Sequence, residues 1–360
     1  MKVEMNKKLI QNLIKEINIM ANKEIKIMEV CGTHTQMISK LGIRSVLSPK
    51  IKLLSGPGCP VCVTDEKYID TAIEMLNNYD VTIATFGDLL RVKGIKNCLL
   101  DERSKGKNVS IIHSPLDLIE MAEANKNQKI IFLGVGFETT APIIALAIKT
   151  AFEKELDNLF FLTSLKLMSP ILHYILKQPE SQIQGLICPG HVASIKGSSY
   201  FEFIVDDYNI PAAVCGFESL DILGGIHYLV KQISNNENRL YKNLYKRCVR
   251  PKGNPTANQL MEEVFQVAHG QWRGIGRVDN SFLTINKNYE KFDAEKNFIV
   301  KIESQDRTTK CACSDVLLGN KTPGECQLFN KICSPLSPQG PCMVSTEGAC
   351  AIAYRYMEGM

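Results

Sequence analysis

No apolar run in this chain is long enough to cross a bilayer; the longest, around Ile130 to Phe137, stops at Glu138. The first residues, Met1-Lys-Val-Glu-Met-Asn-Lys-Lys8, carry charges where a secretory leader needs an apolar segment. A cytoplasmic protein with no membrane attachment is therefore expected. Net charge is small, +4 over 360 residues, and no Lys/Arg run interleaves with aromatics, which excludes an obvious nucleic-acid surface. A Walker A phosphate loop is missing. The stretch Gly134-Val-Gly136-Phe-Glu138-Thr139-Thr140-Ala-Pro142 resembles a dinucleotide loop but lacks the third glycine. No acidic residue ends the next strand, so NAD binding is not expected.

What the chain does have is cysteine, thirteen in all. Six fall in the last fifty residues, as Cys311-x-Cys313-x12-Cys326-x6-Cys333-x8-Cys342-x7-Cys350. They alternate with Gly, Pro and polar residues, a context with little apolar surface for a thiol to pack against. In a reducing cytoplasm such a set points to metal binding or redox work rather than a disulfide framework. Zinc sites commonly pair ligands at C-x2–4-C spacing, and here only the tight Cys311-x-Cys313 comes near. Wide, single spacings suit a [4Fe–4S] cubane, whose corners take ligands from separate turns. Zinc and free thiols remain the alternatives. Two thiols are left over once four have bound a cluster.

Hydrophobic residues make up 45% and charged residues 22%, ordinary for a globular protein, and 360 residues imply more than one core. Asn6 to Met20 carries Leu9, Leu13, Ile14 and Ile17 at helical spacing and reads as an amphipathic helix. Eight short apolar runs follow, at 25–30, 51–55, 81–86, 110–113, 130–135, 159–164, 185–188 and 212–215. Such runs suit buried parallel strands, and the helical patterns between them, at 65–76, 115–125, 141–156 and 200–208, argue for α/β layers. The strands divide naturally into two consecutive groups of four. The expected organisation is an α/β domain at 1–126, a second at 127–235, and a Cys-rich iron–sulfur domain at 236–360. A polar link at 234–238 opens the last, followed by two short helical patterns. Gly136-Phe-Glu138 recurs as Gly216-Phe-Glu218, a faint trace of duplication.

Three motifs follow strands and open helices, the edge where α/β sheets collect ligands. In Gly56-Pro-Gly-Cys59-Pro-Val-Cys62, a rigid turn presents two thiols, with Thr64 or Asp65 capping the next helix. A helix N-terminus favours thiolate. Cys31-Gly-Thr-His34 offers a metal-ligand thiol, with His34 as a proton donor or supporting group. A Cys–His hydrolase normally draws its base from a distant segment, not from three residues away. Cys188-Pro-Gly-His191 repeats the pattern, and Glu138 lies at a similar edge. The remaining histidines, with Cys98, Cys215 and Cys248, lack such a context and read as structural.

Together with Trp272-Arg-Gly-Ile-Gly276 and Pro323-Gly-Glu-Cys326-Gln-Leu-Phe329, these motifs, in order along nearly the whole chain, resemble the HypD family of [NiFe]-hydrogenase maturation proteins. The resemblance implies two parallel-sheet α/β domains and a C-terminal [4Fe–4S] domain. It implies a scaffold that, with a HypC-type chaperone and a HypE-type cyanide donor, assembles an iron carrying two cyanides and one carbonyl. Cys31, Cys59 and Cys62 match the iron-site cysteines. Cys311, Cys326, Cys333 and Cys350 match the cluster ligands, and Cys313 and Cys342 a redox thiol pair, although Cys311 and Cys313 can exchange roles. Glu138 and His191 are then expected to manage protons, and the chain alone to be a monomer. The alternative is a cluster-dependent thiol–disulfide oxidoreductase.

Overall fold

The computed structural model describes residues 2–235, 239–302 and 310–356. Its strands are β1 (Ile25–Glu29), β2 (Ile51–Ser55), β3 (Val81–Thr85), β4 (Val109–Ile111), β5 (Lys129–Gly136) and β6 (Leu159–Lys166). They continue with β7 (Gly185–Cys188), β8 (Ala212–Val214), β9 (Tyr241–Asn243), β10 (Phe265–Trp272) and β11 (Gly276–Ile285). All eight apolar runs are strands. β3 and β7 are buried along their whole length, β5 at all but its first residue, as expected of strands covered on both faces.

The strands form two sheets, and their membership is not sequential. One sheet has the order β2-β1-β7-β8-β9 and is parallel throughout. The other runs β10-β11-β6-β5-β3-β4, parallel except for the hairpin β10–β11 and its pairing with β6. A division into two consecutive quartets is thus replaced by an interleaved one. Parallel neighbours are joined by long crossovers, and the local pattern that makes a strand carries nothing about which strand lies beside it.

The chain folds into two compact units, each assembled from separated segments. The first comprises Met1–Cys59, Leu172–Asn254 and Cys311–Met360, and so holds the tail cysteines with the all-parallel sheet. The second comprises Pro60–Ile171 and Pro255–Lys310. In the first, the helix Lys2–Met20 packs on the helix Ser219–Ser234. Ile17 is fully buried there among Ile25, Ile222 and Ile226, whereas Leu9, at the expected apolar stripe's outer end, is 48% exposed.

Beyond residue 235 the two expected helical patterns give way to a helix, Pro255–Val264, and then the hairpin. Its signal was the tight Gly274-Ile-Gly276 turn between alternating strands. Gly270, beside a register shift in β10, lies under the Phe282 ring, where any Cβ would collide with it. The polar link at 234–238 falls partly outside the described residues. No helix among those described is long and apolar enough to cross a membrane.

Candidate functional site

In the first unit, Cys31 lies two residues past the end of β1 and stands at the N-cap of the helix Gly32–Lys40. Its neighbour is the Gly56–Cys59 turn. Gly32 N donates to Gly58 O at 3.3 Å, and a Cβ on Gly58 would lie 2.4 Å from Cys31 N. Only glycine permits so close an approach of two backbones. Cys59 follows directly, buried, its thiol 3.2 Å from Ser345 Oγ. Thr33 Oγ1 donates to Glu347 Oε1 at 3.4 Å, and Gly32 packs against the Glu347 side chain. The turn 345–347 of the Cys-rich tail therefore lies directly on the loops that carry Cys31 and Cys59.

Burial dominates the electrostatics here. The Cys31 thiol is pushed up to about 12 by desolvation, helped by the Glu29 and Glu347 carboxyls and opposed by the His34 and Thr33 amides. The helix N-terminus alone does not make it a thiolate. Glu29 is 1% exposed, accepts Cys31 N–H at 3.1 Å and the Thr35 hydroxyl, and is raised by burial to about 7. Glu29 does not stand out in the sequence. The signal for Glu29 is a charge ending a buried strand two residues before Cys31.

His34 is fully buried, and burial lowers it to about 4, so its ring is neutral. Nε2 lies 3.0 Å from the Gly216 carbonyl, which can only accept. The proton therefore sits on Nε2, leaving Nδ1 as an acceptor with no hydrogen-bond partner among the described residues. As a neutral group His34 supports and accepts rather than donating to a site. The Phe217 ring stacks within 4.5 Å of His34 and 4.2 Å of His191, which is otherwise exposed to solvent.

The tail brings its cysteines together. Cys313 and Cys342 have their sulfurs 2.6 Å apart. Cys350 is raised by burial and then by Cys313, Cys311, Cys333 and Cys326, and Cys311, pushed up to about 12 by burial, feels Cys313, Cys326 and Cys333. Gly340 leaves room for the Cys311 sulfur, which a Cβ would meet at 2.6 Å. The Cys333 sulfur accepts from Gln339 N at 3.4 Å. Among the described residues no three His, Cys, Asp or Glu side chains are gathered to hold a single metal ion. A cubane makes a different demand, with each thiolate on its own iron corner. Four soft thiols from separate turns, near enough to raise one another, are the donor set that group takes.

The second unit carries Cys62 and Glu138. Cys62 is fully buried in the turn leading to the helix Glu66–Asn78, whose N-cap Asp65 accepts Lys67 N at 2.9 Å. Glu138, just past β5, is fully buried and accepts Met168 N at 2.8 Å. Beside it β6 ends in Lys166, also fully buried, a residue that belongs to none of the sequence motifs. Its mark is a lone charge closing an apolar strand. A cavity of about 400 Å³ in the first unit, lined by Thr35, Arg44, Phe329 and Tyr356 among others, has no cysteine in its lining.

The sequence model of the hydrogenase formation hypA family, HypD, matches residues 7–357. The chain belongs to the HypD family. A putative hydrogenase expression/formation protein of Methanocaldococcus jannaschii is 38% identical to it over 350 residues, covering 97% of each chain. Hydrogenase maturation factor HypD of Escherichia coli K12 is 37% identical over 339 residues, 94% of this chain and 91% of that one. HypD of Rhodobacter capsulatus is 37% identical over 353 residues, 96% and 93% of the two chains. The last two are named as hydrogenase maturation factors, and the family membership extends over the α/β units and the tail alike.

Proposed function

We propose that the chain is a cytoplasmic scaffold that, with a HypC-type chaperone and a HypE-type cyanide donor, assembles the Fe(CN)2CO unit of a [NiFe]-hydrogenase. The observation that carries this reading is the seating of the tail turn 345–347 on the Cys31 and Cys59 loops, with Cys59 Sγ 3.2 Å from Ser345 Oγ. A crowded set of tail thiols thus shares one compact unit with Cys31 and Cys59, in a member of a hydrogenase-maturation family. The iron unit is cargo. Low-spin Fe(II) bearing cyanide and carbonyl is a soft centre, and Cys31, Cys59 and Cys62 are suitable thiolate co-ligands for it.

Cys311, Cys326, Cys333 and Cys350 would hold a [4Fe–4S] cluster. When bound, that group supplies single electrons at low potential. Cys313 and Cys342, 2.6 Å apart, form a dithiol that yields two electrons and two protons on closing to a disulfide. Neutral His34, Glu138 and His191 are the candidates for proton handling. Acting without partners, the chain is a monomer.

The Cys313–Cys342 pair also favours a second reading, a cluster-dependent thiol–disulfide oxidoreductase. Infrared spectroscopy of the anaerobic chain with both partners separates the two, because cyanide and carbonyl absorb where proteins do not. Cys31→Ala is expected to keep the brown cluster but lose the cyanide and carbonyl bands, since one soft ligand is removed and the tail thiolates are untouched. Full bands in Cys31→Ala would remove Cys31 from the iron site and favour the oxidoreductase.

A further inference from the structure

A lysine buried to zero exposure is unusual, because moving an ammonium ion out of water costs several kcal/mol unless the fold provides for it. Lys166 is such a residue. It stands at the carboxyl end of β6 in the second unit, and its neighbours are not a random polar pocket. Nζ donates to Thr64 Oγ1 at 3.0 Å, to Ser164 Oγ at 2.6 Å and to Ser164 O at 3.3 Å. The ring centroids of Phe282 and Trp272 lie 4.9 and 5.9 Å from it, within the range of cation–π attraction.

Thr64 connects this cation to the chemistry. Its hydroxyl has a single proton, donated to Pro60 O at 2.8 Å, so its lone pair is what receives the lysine. A directed chain therefore runs from the Lys166 ammonium through the Thr64 hydroxyl to the Pro60 carbonyl. Pro60 and Thr64 each stand two residues from Cys62, one on either side. The turn is fixed further from the hairpin. Arg273 N donates to Val63 O at 3.0 Å, Thr64 bridges to Trp272, and the Arg273 guanidinium pairs with Glu66 at 2.9 Å.

An apolar side chain could brace a turn at lower desolvation cost. What only a cation supplies is charge. Fe(II) with two cyanides and a carbonyl is neutral, and each cysteine thiolate that binds it adds one negative charge, so the bound unit is an anion in a buried place. We propose that Lys166 is a positioning residue of the iron site: through Thr64 its ammonium group fixes the turn carrying Cys62, and its charge offsets the anion that the thiolate-bound iron unit brings there. This inference rests on the assembly reading above.

The test compares wild type, Lys166→Met, Lys166→Arg and Thr64→Val, each as the full anaerobic chain with HypC- and HypE-type partners. Cyanide and carbonyl infrared bands are recorded beside a thermal unfolding curve. Methionine matches the stem and suits the two rings but leaves Thr64 Oγ1 and Ser164 O without their donor, so Lys166→Met is expected to unfold earlier than wild type and its bands are read below its own melting point, on folded protein. Its bands are expected to fall about tenfold or more, the scale of losing a group that supports a metal ligand. The carbonyl band that remains moves to lower wavenumber, because loss of a nearby cation leaves more electron density for back-donation. Lys166→Arg restores part of the intensity. Thr64→Val, which keeps the cation but cuts the link to Pro60, loses intensity without the frequency shift, and it carries the test should Lys166→Met not fold. Wild-type intensity in folded Lys166→Met or in Thr64→Val overturns the proposal. A wild-type chain with no bands overturns the assembly reading and this inference with it.

Discussion

Replacing Gly58 by alanine tests whether the loops carrying Cys31 and Cys59 depend on direct backbone contact. The added Cβ would sit 2.4 Å from Cys31 N, 2.5 Å from Cys31 Cα and 2.6 Å from Val30 C. Each lies roughly 1 Å inside ordinary van der Waals contact, and none belongs to a side chain that could rotate away. One loop must therefore move by about that distance. Overpacking of this kind costs about 1–3 kcal/mol, which for a unit of roughly 200 residues lowers the melting temperature by several degrees. A displacement of about 1 Å is also enough to spoil the geometry of a positioned ligand set. Gly58→Ala is thus expected to unfold several degrees early, keep the colour of its tail cluster and lose most cyanide and carbonyl intensity. Gly224→Ala supplies the control. That glycine lies within the helix Ser219–Ser234 with nothing within 4 Å of its Cβ position, so alanine should stabilise by up to about 1 kcal/mol. A Gly58→Ala protein as stable and as well loaded as wild type would refute the contact argument.

The Glu29 carboxyl supplies a pH signature for the chain purified without iron cargo. Its folded value, about 7, lies above the ordinary 4.5, so the native state holds its proton more tightly than the unfolded chain does. Stability should fall as pH rises from about 4.5 through 7, by roughly 3 kcal/mol in all, and Glu29→Gln should remove that slope in denaturant titrations. An unchanged slope in the variant would show that Glu29 is not the group responsible. For the tail, anaerobic protein should be brown, with about four irons and matching sulfide. Cys326→Ala or Cys333→Ala should abolish both, whereas stoichiometric zinc without sulfide in native protein would exclude the cluster.

Much of this architecture is legible in the linear sequence, and the exceptions follow a pattern. All eight apolar runs are strands, and the central ones, β3, β5 and β7, are apolar at nearly every position because they are covered on both faces. The thiol and histidine motifs can be located at strand ends for a similar local reason: a strand, a Gly/Pro turn and a capped helix each leave marks within a few residues. β9, β10 and β11 escape such a reading, being short, part-exposed or alternating, and Leu9 belongs to an apolar stripe that the packing of its helix turns partly outward.

By itself, then, the sequence determined the α/β class, the presence and edges of the buried strands, the thiol inventory and the family. Tertiary structure alone decided which strands share a sheet, that Ser345 meets Cys59, and that Lys166 reaches Thr64 across 102 positions of chain. The physical reason is the range of the information. Burial and turn formation constrain residues close in sequence and so leave a periodic or compositional trace. Contacts between distant segments arise from how whole faces pack, and a lone Glu29 or Lys166 at the end of a strand gains its meaning only from the partner that packing brings to it.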